Sequence, residues 1–171
     1  MEVSEAIVKR VSMRDYQNVP VPEQKLNRVL EAARMAPTGG NRQEFKLVVV
    51  KDSETRRKLS EASGGQHHVG QAPVVIAAVA VAPERMMLCG VPAYAVDVAI
   101  VIDHMTLAAT NEGLSTCWIG AFKQEMVRDI LKIPQNHTVA ALLTLGLAAG
   151  EGRPKTRKPI GDLVSYEAFK P

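Results

Sequence analysis

Between Pro92 and Gly113 the sequence keeps helical register for about twenty residues, bounded by a proline suited to a first helical turn and a glycine placed to end it. Such a rod is roughly 30 Å long, long for a small domain. On a helical wheel Ala95, Val98, Val101, Ile102, Met105, Ala108 and Ala109 fall on one stripe. Val96, Ala99, Ile100 and Leu107 lie opposite, among Asp97, Asp103, His104, Thr106 and Thr110. Both sides therefore want cover. A membrane span is disfavoured, because two aspartates and a histidine cost several kcal/mol in lipid and no companion segment reaches about eighteen apolar residues. What remains is a helix covered by its own sheet on one side and, at least in part, by something else on the other, most economically a second copy of the chain.

Composition narrows the class further. With 171 residues, 46% apolar and 23% charged, the chain can bury the core of one soluble domain, expected to span residues 1–171. A net charge of +3 and 4% aromatic residues give neither the electrostatic footprint nor the stacking platforms of a nucleic-acid binder. Cys89 and Cys117 form no CxxC, and the acidic start Met1-Glu2-Val3-Ser4-Glu5 is unlike a secretory signal, so a reducing cytoplasm is the expected compartment. His67 and His68 are adjacent, point apart on any regular element and have no HExxH context, so no metal site is expected.

Along the chain, Ser4 is placed to cap a short helix carrying Ala6, Ile7 and Val8, which runs into Lys9-Arg10-Val11-Ser12-Met13-Arg14. That block reads either as a solvated helix end or as an anion hook, since Arg10 and Arg14 with the Ser12 hydroxyl between them suit a phosphate. A helix from Pro22 to about Met35 leads to Ala36-Pro37-Thr38-Gly39-Gly40-Asn41-Arg42-Gln43. This is a helix-to-strand turn in any case. Its glycines permit close backbone approach, and the amides of Asn41 and Gln43 offer donors and acceptors to the mixed edge of a flat heterocycle.

Strands are expected at 45–51, 74–81, 114–122 and 138–148. The first is apolar enough to suggest cover on both faces, and Trp118 in the third is read as a packed core residue. Helices are expected at about 53–62, capped by Asp52 or Ser53, and at 124–131. Met86-Met87 reads as core filling or as a pocket mouth. Past Gly150, Arg153-Pro154-Lys155-Thr156-Arg157-Lys158-Pro159 is basic and non-helical, either solvated or able to close over an anion held by the first block. Leu163, Val164, Tyr166 and Phe169 then offer an apolar handle. About four strands with helices on both faces make one α+β or α/β domain. GxGxxG, GxSxG and a complete P-loop are absent, so enzymatic chemistry would come from a cofactor.

Taken together, the blocks Arg10–Arg14, Ala36–Gln43, Gly113-Leu114 with Trp118-Ile119-Gly120, and Lys155–Ile160 resemble the nitroreductase family of FMN-dependent oxidoreductases, in its small microbial form. The resemblance covers nearly the whole chain. It implies an α+β (α/β-type) sandwich with a central mixed, mostly antiparallel sheet, and a homodimer with FMN at the subunit interface. It implies that Arg10, Ser12, Arg14 and Arg157 hold the FMN phosphate, with Val11 and Lys155 in the same segments, and that Asn41 and Gln43 face the flavin ring. Pro37, Thr38 and Gly39 would complete the site of the other subunit, and Ile119 and Gly120 would bring backbone NH groups to the ring. The implied chemistry is ping-pong hydride transfer from NAD(P)H to an electron-poor small molecule such as a nitroaromatic or quinone. A flavin reductase or NADH oxidase and a non-catalytic flavin carrier are the alternatives. Val11 departs from the family, which often has a second arginine there. So do Glu44-Phe45, where proline and tryptophan are common, and the helical insertion of longer members is missing.

Overall fold

The structure is a computed structural model describing residues 1–171. Its elements are α1 (Val3–Lys9), α2 (Glu23–Met35), β1 (Phe45–Val50), α3 (Ser53–Ala62), α4 (His67–Gln71), β2 (Val74–Ala80), α5 (Ala93–Asn111), β3 (Ser115–Ile119), α6 (Gln124–Leu131) and β4 (Thr138–Gly146). One four-stranded sheet has the order β1-β2-β4-β3, and every strand pair is antiparallel. An isolated parallel bridge joins Ser12 to Thr116 at the β3 edge.

The two faces follow from alternation along the central strands. Val74, Ile76 and Ala78 of β2 and Ala141, Leu143 and Leu145 of β4 point to α2 and α5, where Leu26, Val29, Val98, Val101, Ile102 and Met105 complete the larger core. Val75, Ala77, Val79 and Leu142 point the other way, to Leu59 of α3, Val69 of α4 and Val127 of α6. β2 is buried at every position because it lies between β1 and β4. The α+β sandwich with helices on both faces is thus as the sequence led one to expect.

α5 is the central rod. Its end is closed by a Schellman arrangement: Leu114 N–H donates to Ala109 O at 2.8 Å, Gly113 N–H donates to Thr110 O at 3.1 Å, and Gly113 takes φ 72°. By length and hydropathy the helix qualifies as a membrane span. Against that, its inner stripe is core and Asp97 is buried within it with polar partners. The outer side keeps Val96, Asp103 and His104 exposed, with Ala99, Ile100 and Leu107 half-buried.

Several local expectations are corrected. Trp118 is 42% exposed, not core, on β3, which is an edge strand. β1 is likewise an edge strand, and only Val50 of it is fully buried. Ser4 does not cap α1, which begins after Glu2 without a side-chain cap and buries Ala6 alone. Asp97 and Thr106, placed on the outer side of α5 by the wheel, are buried, whereas Ala95 is exposed. Asp52 caps α3 as expected, accepting from Thr55 N–H at 2.8 Å.

Candidate functional site

The first basic block is fixed to the sheet by its backbone. Met13 N–H donates to Thr116 O at 2.8 Å, and Gln17 N–H donates to Leu147 O at 2.9 Å. Tyr16 anchors it from below. Its buried hydroxyl lies 2.7 Å from Thr144 Oγ1 and donates to Met13 O at 3.0 Å, while Cys117 N–H donates to the same threonine oxygen at 3.1 Å. Burial pushes the Tyr16 phenol well above its ordinary range.

The tail crosses this block immediately after β4. At Gly152 it runs so close to Val11 that a Cβ there would lie 2.5 Å from Cγ2. Val11 is therefore a packing residue, set against the cluster of Met13, Tyr16 and Ala72, and it also lines the cavity formed by this crossing. The crossing brings Arg153, Lys155 and Arg157 against Arg10 and Arg14 around a cavity of about 300 Å³, with the Ser12 and Thr156 hydroxyls in its wall. No carboxylate lines it, and the ion pairs of the chain all involve other residues. Desolvation, then the like charges of Arg10 and Arg157, hold the Lys155 ammonium below its ordinary value. A crowded set of cations with neutral hydroxyl donors and no internal counter-charge fits a phosphate dianion. Lys155 itself is partly committed, since its Nζ donates to Ile7 O and Val8 O at the end of α1. A second cavity of about 500 Å³ shares Arg10, Lys155 and Arg157 and runs on to Ile7, Val8 and the outer residues Asp103 and Leu107 of α5.

The amide loop lies elsewhere. Gly39–Asn41 forms one 3-10 turn, and Gly40, Asn41 and Gln43 have φ of 62°, 53° and 55°. For the two non-glycine residues this backbone costs on the order of 1 kcal/mol each. Local bonds hold it: Gln43 N–H donates to Thr38 Oγ1 at 3.0 Å, and Gln43 Nε2 donates to Asn41 O and Oδ1, both at 3.2 Å. From the body of the protein, Asp97 Oδ1 accepts from Gly39 N–H at 2.9 Å. Arg85 Nη2 donates to Asp97 Oδ2 at 3.3 Å, and Arg85 Nε pairs with Glu44. Pro37, Asn41 and Gln43 are exposed and Thr38 half-buried. At the end of β3 the Ile119 side chain points into the core, so only its backbone is available, while Gly120 is exposed with open space where a Cβ would be.

The predicted residues thus form separate groups. Arg10, Val11, Ser12, Arg14, Lys155 and Arg157 converge on the cation cavity, whose lining includes none of Pro37, Thr38, Gly39, Asn41, Gln43, Ile119 or Gly120. Sequence reasoning missed Arg153 and Thr156 as lining residues, although both stand in the basic tail run. It also missed Asp97, whose signal was its place four and eight residues before Val101 and Met105 on the buried stripe. His68, set aside as a metal ligand, is buried with Nε2 unpartnered; burial and then the nearby Arg14 lower its pKa.

Comparison with known proteins finds relatives in sequence and in fold. A family model described as the nitroreductase family matches residues 7–91 and 64–147. A Thermus thermophilus protein named NADH dehydrogenase is 33% identical over 97% of this chain and 96% of its own length. A Bacillus subtilis protein named FMN reductase [NAD(P)H] is 31% identical over 92% of this chain and 70% of its own. The crystal structure of a nitroreductase family protein from Clostridium difficile 630 superposes with a TM-score of 0.89 at 34% identity, covering 99% of this chain and 100% of that one.

Proposed function

The chain belongs to the nitroreductase family, and we infer from that premise and from the site that it is an FMN-dependent oxidoreductase using NAD(P)H to reduce a small electron-poor acceptor. The observation that carries the reading is the cavity in which cations and hydroxyls from both ends of the chain converge without a carboxylate. When bound, FMN supplies the capacity to take a hydride from the nicotinamide and give it to the acceptor. The chain supplies position and polarity. Arg10, Ser12, Arg14 and Arg157 hold the phosphate, and Lys155 adds its charge from the end of α1. The Asn41 and Gln43 side chains and the backbone NH groups at Ile119 and Gly120 face the ring, donating to charge that develops there.

The amide loop contributes no residue to the lining of the cation cavity of its own chain. We therefore assign Pro37, Thr38, Gly39 and the amides behind them to the site of a second copy, making the assembly a homodimer of single-domain chains. The open outer side of α5 and the exposed tail support this reading. Both cysteines are free, consistent with a reducing cytoplasm as the compartment. A nitroaromatic or quinone is the acceptor class we favour, with free flavin the second choice, since one relative is named an FMN reductase.

Anaerobic mixing tests the function directly. Purified protein is expected to be yellow and to bleach within seconds of adding NADH or NADPH, with colour restored by a quinone. Yellow protein that neither cofactor bleaches would be a flavin carrier, and colourless protein that leaves the fluorescence of added FMN unchanged would overturn the reading altogether.

A further inference from the structure

Asp97, Arg85 and Glu44 have no part in the cofactor contacts assigned above. Asp97 is 7% exposed, and a carboxylate so placed is costly unless its oxygens are engaged. Both are: one accepts from the Gly39 amide, the other from Arg85, which also pairs with Glu44. Glu44 directly follows Gln43. Asp97 therefore grips the loop at both ends, and does so from a helix of the main core. What it grips is backbone that few residues adopt, left-handed at Gly40, Asn41 and Gln43. Such conformations persist only where the surroundings over-determine them. An ion pair with Arg85 alone would need a single carboxylate oxygen. Here the second is directed at the loop.

We propose that Asp97 is a positioning residue for the amides of Asn41 and Gln43. Without touching the cofactor, it fixes the conformation in which the loop presents them, through Gly39 N–H on one side and through Arg85 and Glu44 on the other. The proposal rests on the reading of this loop as the ring-facing part of the site.

The test compares Asp97→Ala, Asp97→Asn and Asn41→Ala in the full chain, reading FMN and riboflavin affinities, the midpoint potential of bound FMN, and amide hydrogen exchange at Gly39 in the flavin-free protein. Asp97→Ala should weaken FMN and riboflavin by the same factor, about tenfold, because the ring is common to both. It should also shift the potential and speed exchange at Gly39. Asp97→Asn keeps an oxygen that accepts from Gly39 and should recover most of each readout. A merely structural role would leave the potential unmoved and make the two variants alike, since both lose the charge facing Arg85. That result overturns the proposal, as does loss of FMN binding without loss of riboflavin binding.

If Asp97→Ala does not fold, Asp97→Leu decides. It removes both carboxylate oxygens while filling the buried volume, and Arg85 keeps its pair with Glu44. It must reproduce the paired loss, and parental affinities in it overturn the proposal. A loss in Asn41→Ala without one in Asp97→Ala also overturns the proposal, and leaves the loop's role intact. A loss in Asp97→Ala without one in Asn41→Ala instead overturns the reading of the loop on which the proposal stands.

Discussion

Gly152 passes over Val11 with no room for a side chain: a Cβ at 152 would lie 2.5 Å and 2.7 Å from the two Val11 methyl carbons. Because Arg153, Lys155 and Arg157 follow within five residues, this contact sets how the tail meets the first basic block. Gly152→Ala should lift the tail, an overpacking that typically costs about 1–3 kcal/mol. FMN affinity should fall about tenfold or more, with riboflavin affinity little changed, as measured by equilibrium dialysis. Adding Val11→Ala reopens the space and should restore FMN binding.

The cations themselves should separate by ligand. Charge-assisted bonds to phosphate are worth roughly 1.5–3 kcal/mol each, so Arg14→Ala or Arg157→Ala should weaken FMN by about ten- to a hundredfold and leave riboflavin, which has no phosphate, nearly unaffected. Lys155→Ala should cost less, because that ammonium already donates to Ile7 O and Val8 O. Fluorescence titration with both ligands checks the ratio. Equal losses for the two would mean that the cluster does not hold the phosphate.

How much of this was legible in the sequence differs by link. α5, its glycine stop, the four strands and the two basic blocks could be read because each rests on local periodicity or turn chemistry. Trp118 was misread because exposure on a strand depends on strand order, and β3 turned out to be an edge. Asp97 was misread because a charged residue on a helix is by default assigned to solvent. Its two partners, Gly39 and Arg85, lie 58 and 12 residues away, and no local pattern reports such a pairing. Val11 looked like a missing phosphate donor. Only the path of the tail reveals it as the floor beneath Gly152.

Stability should fall at alkaline pH through Tyr16. Burial raises its pKa in the folded state above the unfolded value of about 10, so the unfolded chain loses its proton first. Tyr16 then stabilises fully below about pH 10, and this contribution is lost as pH rises toward the folded-state value. Melting temperature should be flat in this respect up to about pH 9.5 and drop beyond it. In Tyr16→Phe the drop should be reduced against a lower baseline, since that variant also loses the bonds to Thr144 and Met13 O. A variant with the same alkaline slope as the parent would count against this assignment.

The tail supplies the last prediction. Past Pro159 the chain carries Ile160, Leu163, Val164, Tyr166 and Phe169, and every one is exposed, Tyr166 at 80% and Phe169 at 88%. Apolar side chains gathered in this stretch, with no cover from their own domain, are expected to lie on a second copy, alongside the open outer side of α5. Burying a large apolar side chain contributes about 1.5–3 kcal/mol, so Leu163→Asp combined with Phe169→Asp should raise the dimer dissociation constant at least a hundredfold. Neither residue touches the main core, so the melting transition of the separated chains should still be cooperative. Sedimentation should then show monomers at low micromolar concentration. Because the amide loop and the cation cavity come from different copies in this reading, FMN should be released as the dimer dissociates, and raising the protein concentration should recover it. A double variant that sediments like the parent and keeps its flavin on dilution would mean that the tail does not hold the two copies together.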